Sequence, residues 1–96
     1  MRFEWDRAKD RQNLAKHGMN FETAMLVFED PHQVSIQDRI VDGEERWQTF
    51  GVIQNLVLMV AHTWWEEEGE EVIRIISARR ATAHEKRIYE AHRSPG

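Results

Sequence analysis

The sequence predicts an α+β domain, because helical segments flank a central block of strand patterns. The clearest helical signal is a set of apolar residues spaced i, i+3, i+4 and i+7: Phe21, Ala24, Met25 and Phe28. Residues 33–77 instead show alternating or short continuous apolar runs, which favour strands. The 96 residues contain no repeat or Pro/Ser linker, so we expect one domain over residues 1–96. We predict an antiparallel sheet of about four to five strands, with two N-terminal helices and one C-terminal helix packed mostly on one face.

The N-terminal elements follow from local signals. Residues 3–5 form a candidate edge strand, after which Asp6 can cap a helix over residues 7–17 that ends at Gly18. Asn20 can cap the second helix, and Asp30-Pro31 ends it because proline cannot continue helical hydrogen bonding.

Four strand segments are predicted, at residues 34–40, 46–53, 56–61 and 72–77. We expect Gly51 to mark a bulge, Gln54-Asn55 to form a two-residue turn, and residues 66–71 to form a solvated hairpin loop. That loop would place His62 opposite Val72 or Ile73, away from Arg79.

A capping box predicts the final helix. Thr82 and Glu85 fit the pattern in which each side chain bonds the other residue's backbone N–H. The helix should run to about His92, and residues 93–96 should fray.

Composition excludes several classes of function. The chain has no cysteine, and its five histidines are scattered, so a zinc site is not expected. There is no Gly-rich phosphate loop, and the longest apolar run, residues 56–61, is far shorter than the roughly 20 residues that span a bilayer. The N-terminus carries acidic residues where a signal peptide needs apolar ones. We expect a cytoplasmic protein without metal, cofactor or membrane partner.

Charge is unevenly distributed along the chain. The net charge is −4, but residues 74–93 hold six Lys or Arg residues against two Glu residues, a local charge of +4 that leaves −8 elsewhere. A basic patch on an acidic body can attract a polyanion, because the field near the patch depends on nearby charges. Cations on a terminal helix are also common in proteins that bind no nucleic acid.

The basic segment contains residue types suited to RNA cleavage without metal. That reaction removes a proton from the 2′-hydroxyl, stabilises a negatively charged phosphorane and protonates the leaving oxygen. The candidate catalytic residues are Arg74, Arg79, Arg80, Glu85 and Tyr89. Each also has an ordinary explanation: Glu85 as a capping partner, Tyr89 as a packing residue and Arg74 as a solvent-facing strand residue.

Blocks along almost the whole chain resemble the BrnT family of toxins, which has a RelE-like ribonuclease fold. The matching blocks include Phe3-Glu4-Trp5-Asp6, Lys16-His17-Gly18, Asp30-Pro31, Glu45-Arg46 and Ile73-Arg74-Ile75-Ile76-Ser77-Ala78-Arg79-Arg80-Ala81-Thr82. The resemblance implies a ribonuclease toxin of a type II toxin–antitoxin pair that blocks translation. It also implies a cognate BrnA antitoxin, which covers the toxin and represses the shared operon through its own DNA-binding half.

The resemblance carries the five catalytic candidates over to this chain. Candidate RNA-binding residues are Trp5, Lys9, Asn13, His17 and Lys86. The first four belong to an N-terminal block that could line an RNA groove or instead hold the first helix on the sheet.

One segment departs from the family pattern. After His62-Thr63 the family commonly has a short loop with an arginine, whereas this chain has the longer, acidic Trp64-Trp65-Glu66-Glu67-Glu68. The segment could weaken cleavage and contact a basic partner, with an exposed Trp as anchor. Two functions therefore compete: an active ribonuclease, and an inactive relative that serves as a corepressor bound to its antitoxin.

Overall fold

A five-stranded sheet organises the molecule. The computed structural model describes residues 1–93, and its strand order is β1-β5-β4-β3-β2. The strands are β1 (Arg2–Glu4), β2 (Val34–Val41), β3 (Glu44–Ile53), β4 (Leu56–Glu67) and β5 (Glu70–Arg80). The helices are α1 (Arg7–His17), α2 (Phe21–Ala24), a 3₁₀ helix (Met25–Glu29) and α3 (Ala83–Arg93). Within the described part, none of the helices has the length and hydrophobicity needed to cross a bilayer.

The sheet is mixed, so the prediction of an antiparallel sheet is wrong. β2 to β5 pair antiparallel through successive hairpins, but β1 pairs parallel to β5, with Phe3 opposite Ile73. The predicted edge position of β1 is confirmed. A three-residue strand pattern carries no information about direction, because direction depends on how the rest of the chain returns to the edge.

Helices cover both faces of the sheet. The prediction that they pack mostly on one face is therefore wrong. Leu58 and Val60 of β4 belong to the core beneath α2 and the 3₁₀ helix. Val57 and Met59, which point to the opposite face, belong to a second core with Tyr89 of α3. The continuous apolar run in β4 reflects burial on both faces. We call these two faces the α2 face and the α3 face.

The predicted caps of the first two helices are confirmed. Asp6 accepts hydrogen bonds from the backbone N–H groups of Ala8 and Lys9, and Gly18 ends α1 with φ +71°. Asn20 accepts from the Thr23 N–H. The predicted second helix is α-helical only to Ala24 and continues as the 3₁₀ helix, yet its apolar residues still pack on the sheet core.

The β4–β5 hairpin is longer than expected. The strands pair up to Glu67 and Glu70, so residues 66–71 are not an open loop; the turn is the pair Glu68-Gly69, with φ +51° and +80°. Positive φ at both turn residues matches the right-handed twist of the strands. His62 consequently pairs with Ile75, not with Val72 or Ile73 as predicted. The predicted Gln54-Asn55 turn is confirmed, with φ +49° and +68°.

Gly51 marks a close approach and not a bulge. β3 and β4 keep a regular register through Gly51, opposite Leu58. A Cβ atom at Gly51 would lie 2.8 Å from Val27 Cγ1 and 3.0 Å from Val27 O. The missing side chain therefore lets the 3₁₀ helix lie directly on β3.

The bulge is in β5. Ile75 pairs with His62 and Ser77 with Ala61, so Ile76 is an extra residue without its own partner on β4. The extra residue shifts the alternation of side chains by one, so Ile75 and Ala78 both reach the α2-face core although they are three residues apart. Arg74 and Arg79, five residues apart, both share the α3 face, because their partners Thr63 and Met59 lie on one face of β4.

The capping box of α3 is confirmed. The Glu85 N–H donates to Thr82 Oγ1 at 3.2 Å, and the Thr82 N–H donates to Glu85 Oε1 at 2.9 Å. The predicted fraying from residue 93 falls partly on residues 94–96, which lie outside the described part.

Gly51→Ala should destabilise the fold by about 1–3 kcal/mol, because the added methyl group overlaps Val27 in a closely packed contact. Thermal or urea unfolding measures the loss. Gly43→Asn is the control, because Gly43 has open space around it and Asn tolerates its φ of +80°. A loss for Gly51→Ala no greater than for the control would contradict the close approach.

Candidate functional site

Arg79 and Glu85 form a bidentate ion pair at the end of β5. Arg79 Nη1 and Nη2 donate to the two Glu85 carboxylate oxygens at 2.8 Å and 3.0 Å. Nη1 also donates to the Arg80 carbonyl at 3.1 Å. The Arg79 side chain is about one-third exposed, at 32%, whereas that of Glu85 is 12% exposed. The capping box fixes Glu85, and Glu85 in turn fixes the Arg79 guanidinium at the surface.

The charges of this pair stabilise each other. The hydrogen bond from Arg79, with backbone bonding at Thr82, holds the pKa of Glu85 below its ordinary 4.5, against the opposing effect of burial. The same hydrogen bond raises the pKa of Arg79. Glu85 is therefore ionised near neutral pH, and its lowered pKa makes it a weak proton acceptor. Its contacts suit a residue that orients Arg79.

Tyr89 is buried beneath α3. Its hydroxyl donates to Asp30 Oδ2 at 2.6 Å, and the residue is 1% exposed. Burial, together with the neighbouring Asp30 carboxylate, raises the pKa of Tyr89 to about 12. Burial alone would raise the pKa of Asp30, but hydrogen bonds from Tyr89, His32 and Val52 outweigh it and hold that pKa low. This contact ties α3 to the chain after the 3₁₀ helix.

Arg74 lies apart from Arg79. The two share the α3 face, but their partners Thr63 and Met59 are four residues apart on β4, which separates their backbones by about 13 Å. Arg74 Nε instead lies 3.3 Å from Glu4 Oε1 on the neighbouring strand β1. Arg80 is exposed at the end of β5, and Lys86 is exposed on α3. The five predicted catalytic residues thus occupy three places: Arg74 at β1, Arg79, Glu85 and Arg80 at the end of β5, and Tyr89 in the core.

A cleft joins Arg74 to part of the predicted RNA-binding block. It has a volume of about 430 Å³ and lies where β1 ends and leaves the edge of β5 uncovered. Its lining residues are Glu4, Trp5, Asp6, Lys9, Arg74, Ile75 and Ile76. Trp5, Lys9 and Arg74, which are distant in sequence, are therefore brought to one opening beside the β5 bulge.

The other two members of the N-terminal block have different surroundings. Asn13 Nδ2 donates to the carbonyls of Met19 and Ala78, both at 2.8 Å, and Asn13 Oδ1 accepts from the Ala78 N–H at 3.0 Å. Asn13 is buried, and these contacts hold α1 on β5. His17 is exposed at the end of α1. Trp5 lies against the Phe21 ring, edge to face, with centroids 6.2 Å apart.

Sequence reasoning missed Glu4 and Asp30 as site residues. Asp30 was interpreted as the residue that precedes a helix-ending proline and as part of a family block, and Glu4 as part of an edge strand and of a family block. A buried tyrosine usually needs a partner for its hydroxyl, which is the signal that could have led to Asp30.

His62, as expected, does not join Arg79; it is buried, with Nε2 2.7 Å from Thr49 Oγ1. Among residues 1–93, no three His, Asp or Glu residues are grouped so that they could hold a metal ion.

Glu85→Gln should destabilise the protein by about 2 kcal/mol near pH 7, because it removes a carboxylate that accepts charge-assisted hydrogen bonds. The folded pKa of Glu85 is lowered, so its contribution is present above pH 4.5 and is lost as the pH falls through the folded pKa. The gap in unfolding free energy between wild type and variant should narrow at acid pH. A gap that stays constant from pH 7 to pH 3 would contradict this.

Tyr89→Phe should lower the free energy of unfolding by about 2 kcal/mol, because it keeps the buried ring but removes the hydroxyl that donates to Asp30. A double-mutant cycle with Asp30→Ala, measured by urea unfolding, isolates the contact. A coupling energy near zero would show that the hydrogen bond does not hold α3.

Comparisons with known proteins identify a family for this chain. A search of curated proteins finds no match. The family model described as "Ribonuclease toxin, BrnT, of type II toxin-antitoxin system" matches residues 5–85, which include Trp5, Lys9, Arg74, Arg79 and Glu85. The chain belongs to the BrnT family of ribonuclease toxins of type II toxin–antitoxin systems.

Proposed function

We propose that this toxin cleaves RNA without a metal ion, on a surface that runs from the cleft beside β1 along β5 to Arg79. The family match over residues 5–85 carries the ribonuclease assignment. The cleft supports the location, because it places Lys9 and Arg74 beside Trp5 at an opening of about 430 Å³.

In the cleft, Arg74 and Lys9 bind the phosphate that reacts. Guanidinium meets phosphate oxygens through two parallel hydrogen bonds and keeps its charge, so it stabilises the phosphorane as negative charge develops. Glu4, whose carboxylate lies 3.3 Å from Arg74 Nε, accepts the proton of the 2′-hydroxyl as that oxygen bonds to phosphorus. The bond from phosphorus to the 5′-oxygen then breaks, the Lys9 ammonium donates a proton to the leaving 5′-oxygen, and a 2′,3′-cyclic phosphate remains. Trp5 contacts a base at the rim with the part of its ring that Phe21 leaves open.

Arg79 binds a phosphate further along the same strand of RNA. Glu85 acts as a positioning residue, because its two hydrogen bonds hold the guanidinium in one orientation. Three of the five guanidinium N–H groups donate within the protein, so the remaining ones are available to a ligand. Arg80 and Lys86 add positive charge on the same end of the molecule, and His17 is a further RNA contact at the end of α1.

Asn13 and Tyr89 support this surface from the protein interior. Asn13 fixes α1, and with it Lys9, against β5. Tyr89 fixes α3, and with it Glu85, through Asp30. We propose these two as structural members of the site, without contact to RNA.

We infer the cellular role of this toxin from its family. Cleavage of RNA in the cytoplasm blocks translation until a BrnA-like antitoxin covers the toxin in a hetero-oligomer. Contact with DNA occurs only through that antitoxin.

A second function is favoured by one observation. Glu85 and Tyr89, two predicted proton-transfer residues, are committed to internal hydrogen bonds. An inactive toxin relative that serves as an antitoxin-bound corepressor would keep these contacts for the fold alone. Such a protein binds its antitoxin but leaves RNA intact.

Arg74→Gln should lower the rate of RNA cleavage by about 100-fold, because it removes a fixed charge from the reacting phosphate. The assay follows a single-stranded RNA in EDTA. Arg39→Gln is the matched control, since Arg39 is also a strand arginine but lies on β2 at the opposite edge of the sheet and is 72% exposed.

Three results would contradict the proposal. If the wild-type protein stops cleaving RNA in EDTA, the metal-free mechanism is excluded. Equal rates of RNA cleavage by Arg74→Gln and Arg39→Gln would exclude the cleft as the cleavage site. No cleavage by well-folded wild type, combined with tight antitoxin binding, would establish the corepressor.

A further inference from the structure

The α3 face carries a row of polar side chains beyond the core that lies under α3. Arg74 of β5 pairs with Thr63 of β4. Arg46 of β3 lies on the other side of Thr63, because Trp47 pairs with His62 in the preceding position. Residues that face each other across neighbouring strands point to the same side of a sheet. Arg46, Thr63 and Arg74 therefore stand side by side on one face, and we call them the polar row.

Thr63 is buried in the polar row without a hydrogen bond. The residue is 1% exposed, and its Oγ1 has no hydrogen-bond partner within residues 1–93. Buried hydroxyl groups nearly always have a partner, because an unpaired one costs about 1–3 kcal/mol. The short Thr63 side chain stands between two long arginines, so its hydroxyl lies at the bottom of a trough. A group held between the two guanidinium groups is placed to complete it.

The two arginines have donors to spare. Arg46 Nε is buried and makes no hydrogen bond within the described part of the chain, although Glu44 Oε1 lies 3.4 Å away. Arg74 meets Glu4 through its Nε, at 3.3 Å. A guanidinium has five N–H donors, so contacts through Nε leave the terminal N–H groups of both arginines for a ligand. The side chains of Arg46 and Arg74 are 26% and 55% exposed, so both are within reach of a ligand in solution.

The immediate surroundings of Thr63 favour an anion. Its neighbours on the same face are Arg46 and Arg74 across the sheet and Ala61 and Trp65 along β4. These four side chains include two cations and no acid. A negatively charged group above Thr63 therefore meets positive charge on two sides.

The glutamates of this face lie outside the trough. Glu4 adjoins Arg74 on the β1 side, and Glu44 adjoins Arg46 on its own strand. Arg39, the partner of Arg46 on β2, faces it with the same charge, and like charges opposite each other destabilise a sheet. An anion bound to Arg46 relieves this repulsion, with Glu44 as its competitor.

From these observations we infer that Arg46 and Thr63, together with Arg74, bind a second phosphate of the RNA strand, next to the phosphate that reacts in the cleft. The non-bridging oxygens of a phosphodiester can accept hydrogen bonds from both guanidinium groups and from the Thr63 hydroxyl. The phosphate reaches that hydroxyl as the two flexible arginine side chains turn towards it. The inference deepens the proposed function and rests on it, because Arg74 belongs to both the polar row and the cleft.

Arg46 binds RNA here without contact to the reacting atoms. Two strand spacings separate its backbone from that of Arg74 by about 10 Å, and the cleft lies on the far side of Arg74, at β1. A contact of this kind is made equally well before and during the reaction. It should therefore lower KM and leave kcat unchanged.

The first test measures the affinity of the full chain for a labelled single-stranded DNA of six nucleotides, which lacks the reactive 2′-hydroxyl, by fluorescence anisotropy at fixed salt. Arg46→Gln should weaken binding about tenfold, because it removes charge-assisted hydrogen bonds to a phosphate. Arg39→Gln is the matched control. It removes the same charge one strand farther from Thr63 and should bind within about twofold of wild type.

Thr63→Val tests the hydroxyl without a change of charge. It should weaken DNA binding about threefold, because one donor to the phosphate is lost. Its melting temperature should stay the same or rise, because the variant also removes a buried hydroxyl that has no partner in the free protein.

Glu44→Gln tests the competition for Arg46. It should strengthen DNA binding about threefold, because it removes the carboxylate beside Arg46. Glu45→Gln removes the same charge from the next residue, which points to the other face of the sheet, and should change the affinity less.

RNA cleavage by the same samples separates this inference from the proposed function. Arg46→Gln should raise KM about tenfold and keep kcat within about twofold of wild type. If wild type does not cleave RNA but the DNA results hold, the ribonuclease proposal fails and the phosphate site remains.

Any one of five results would overturn the inference. They are equal DNA affinities of Arg46→Gln and Arg39→Gln, wild-type affinity of Thr63→Val, a lower melting temperature of that variant, equal effects of Glu44→Gln and Glu45→Gln, and a fall in kcat at constant KM for Arg46→Gln. If Arg46→Gln keeps its affinity for DNA but loses the antitoxin, the polar row binds a carboxylate of that partner instead of RNA.

Discussion

The extra residue in β5 is the constraint on which both sides of the molecule depend. Ile76 has no partner of its own on β4, so the alternation of side chains shifts by one residue at this point. Ile75 and Ala78 can then enter the same core. Without the shift, Arg74 and Arg79 would point to opposite faces, because five is an odd number of steps along a strand. One irregularity thus satisfies the packing and places two arginines on one surface.

Charge separation explains how an acidic toxin could serve the two partners that we propose for it, RNA and an antitoxin. The net charge of −4 combines a basic region, residues 74–93, with an acidic end where two hairpin turns meet. Attraction acts over roughly 8–10 Å at physiological salt, so each partner responds to the nearest patch and not to the net charge. Arg79 and Arg80 lie far along β5 from the acidic turns, opposite Met59 and Leu58, whereas Arg74 lies opposite Thr63, between the basic and acidic ends.

Sequence reasoning succeeded where the signal is local. The Asp6 and Asn20 caps, the Gln54-Asn55 turn and the Thr82–Glu85 capping box each involve residues within three or four positions of one another. It failed where distant segments meet. The hydrogen bond between Tyr89 and Asp30 joins residues 59 positions apart, and the parallel pairing of β1 depends on a strand some 70 residues later. The cleft that Lys9 and Arg74 share could likewise not be predicted from the sequence, although both residues had been selected separately as candidates.

The most direct test of this two-ended layout is a map of backbone amide shifts in NMR spectra of the full chain, titrated with a short single-stranded DNA that lacks the reactive 2′-hydroxyl. The account predicts that shifts concentrate at residues 4–9 and 74–80, around the cleft and the end of β5. Shifts concentrated at residues 42–45 and 66–71, at the acidic end, would contradict it.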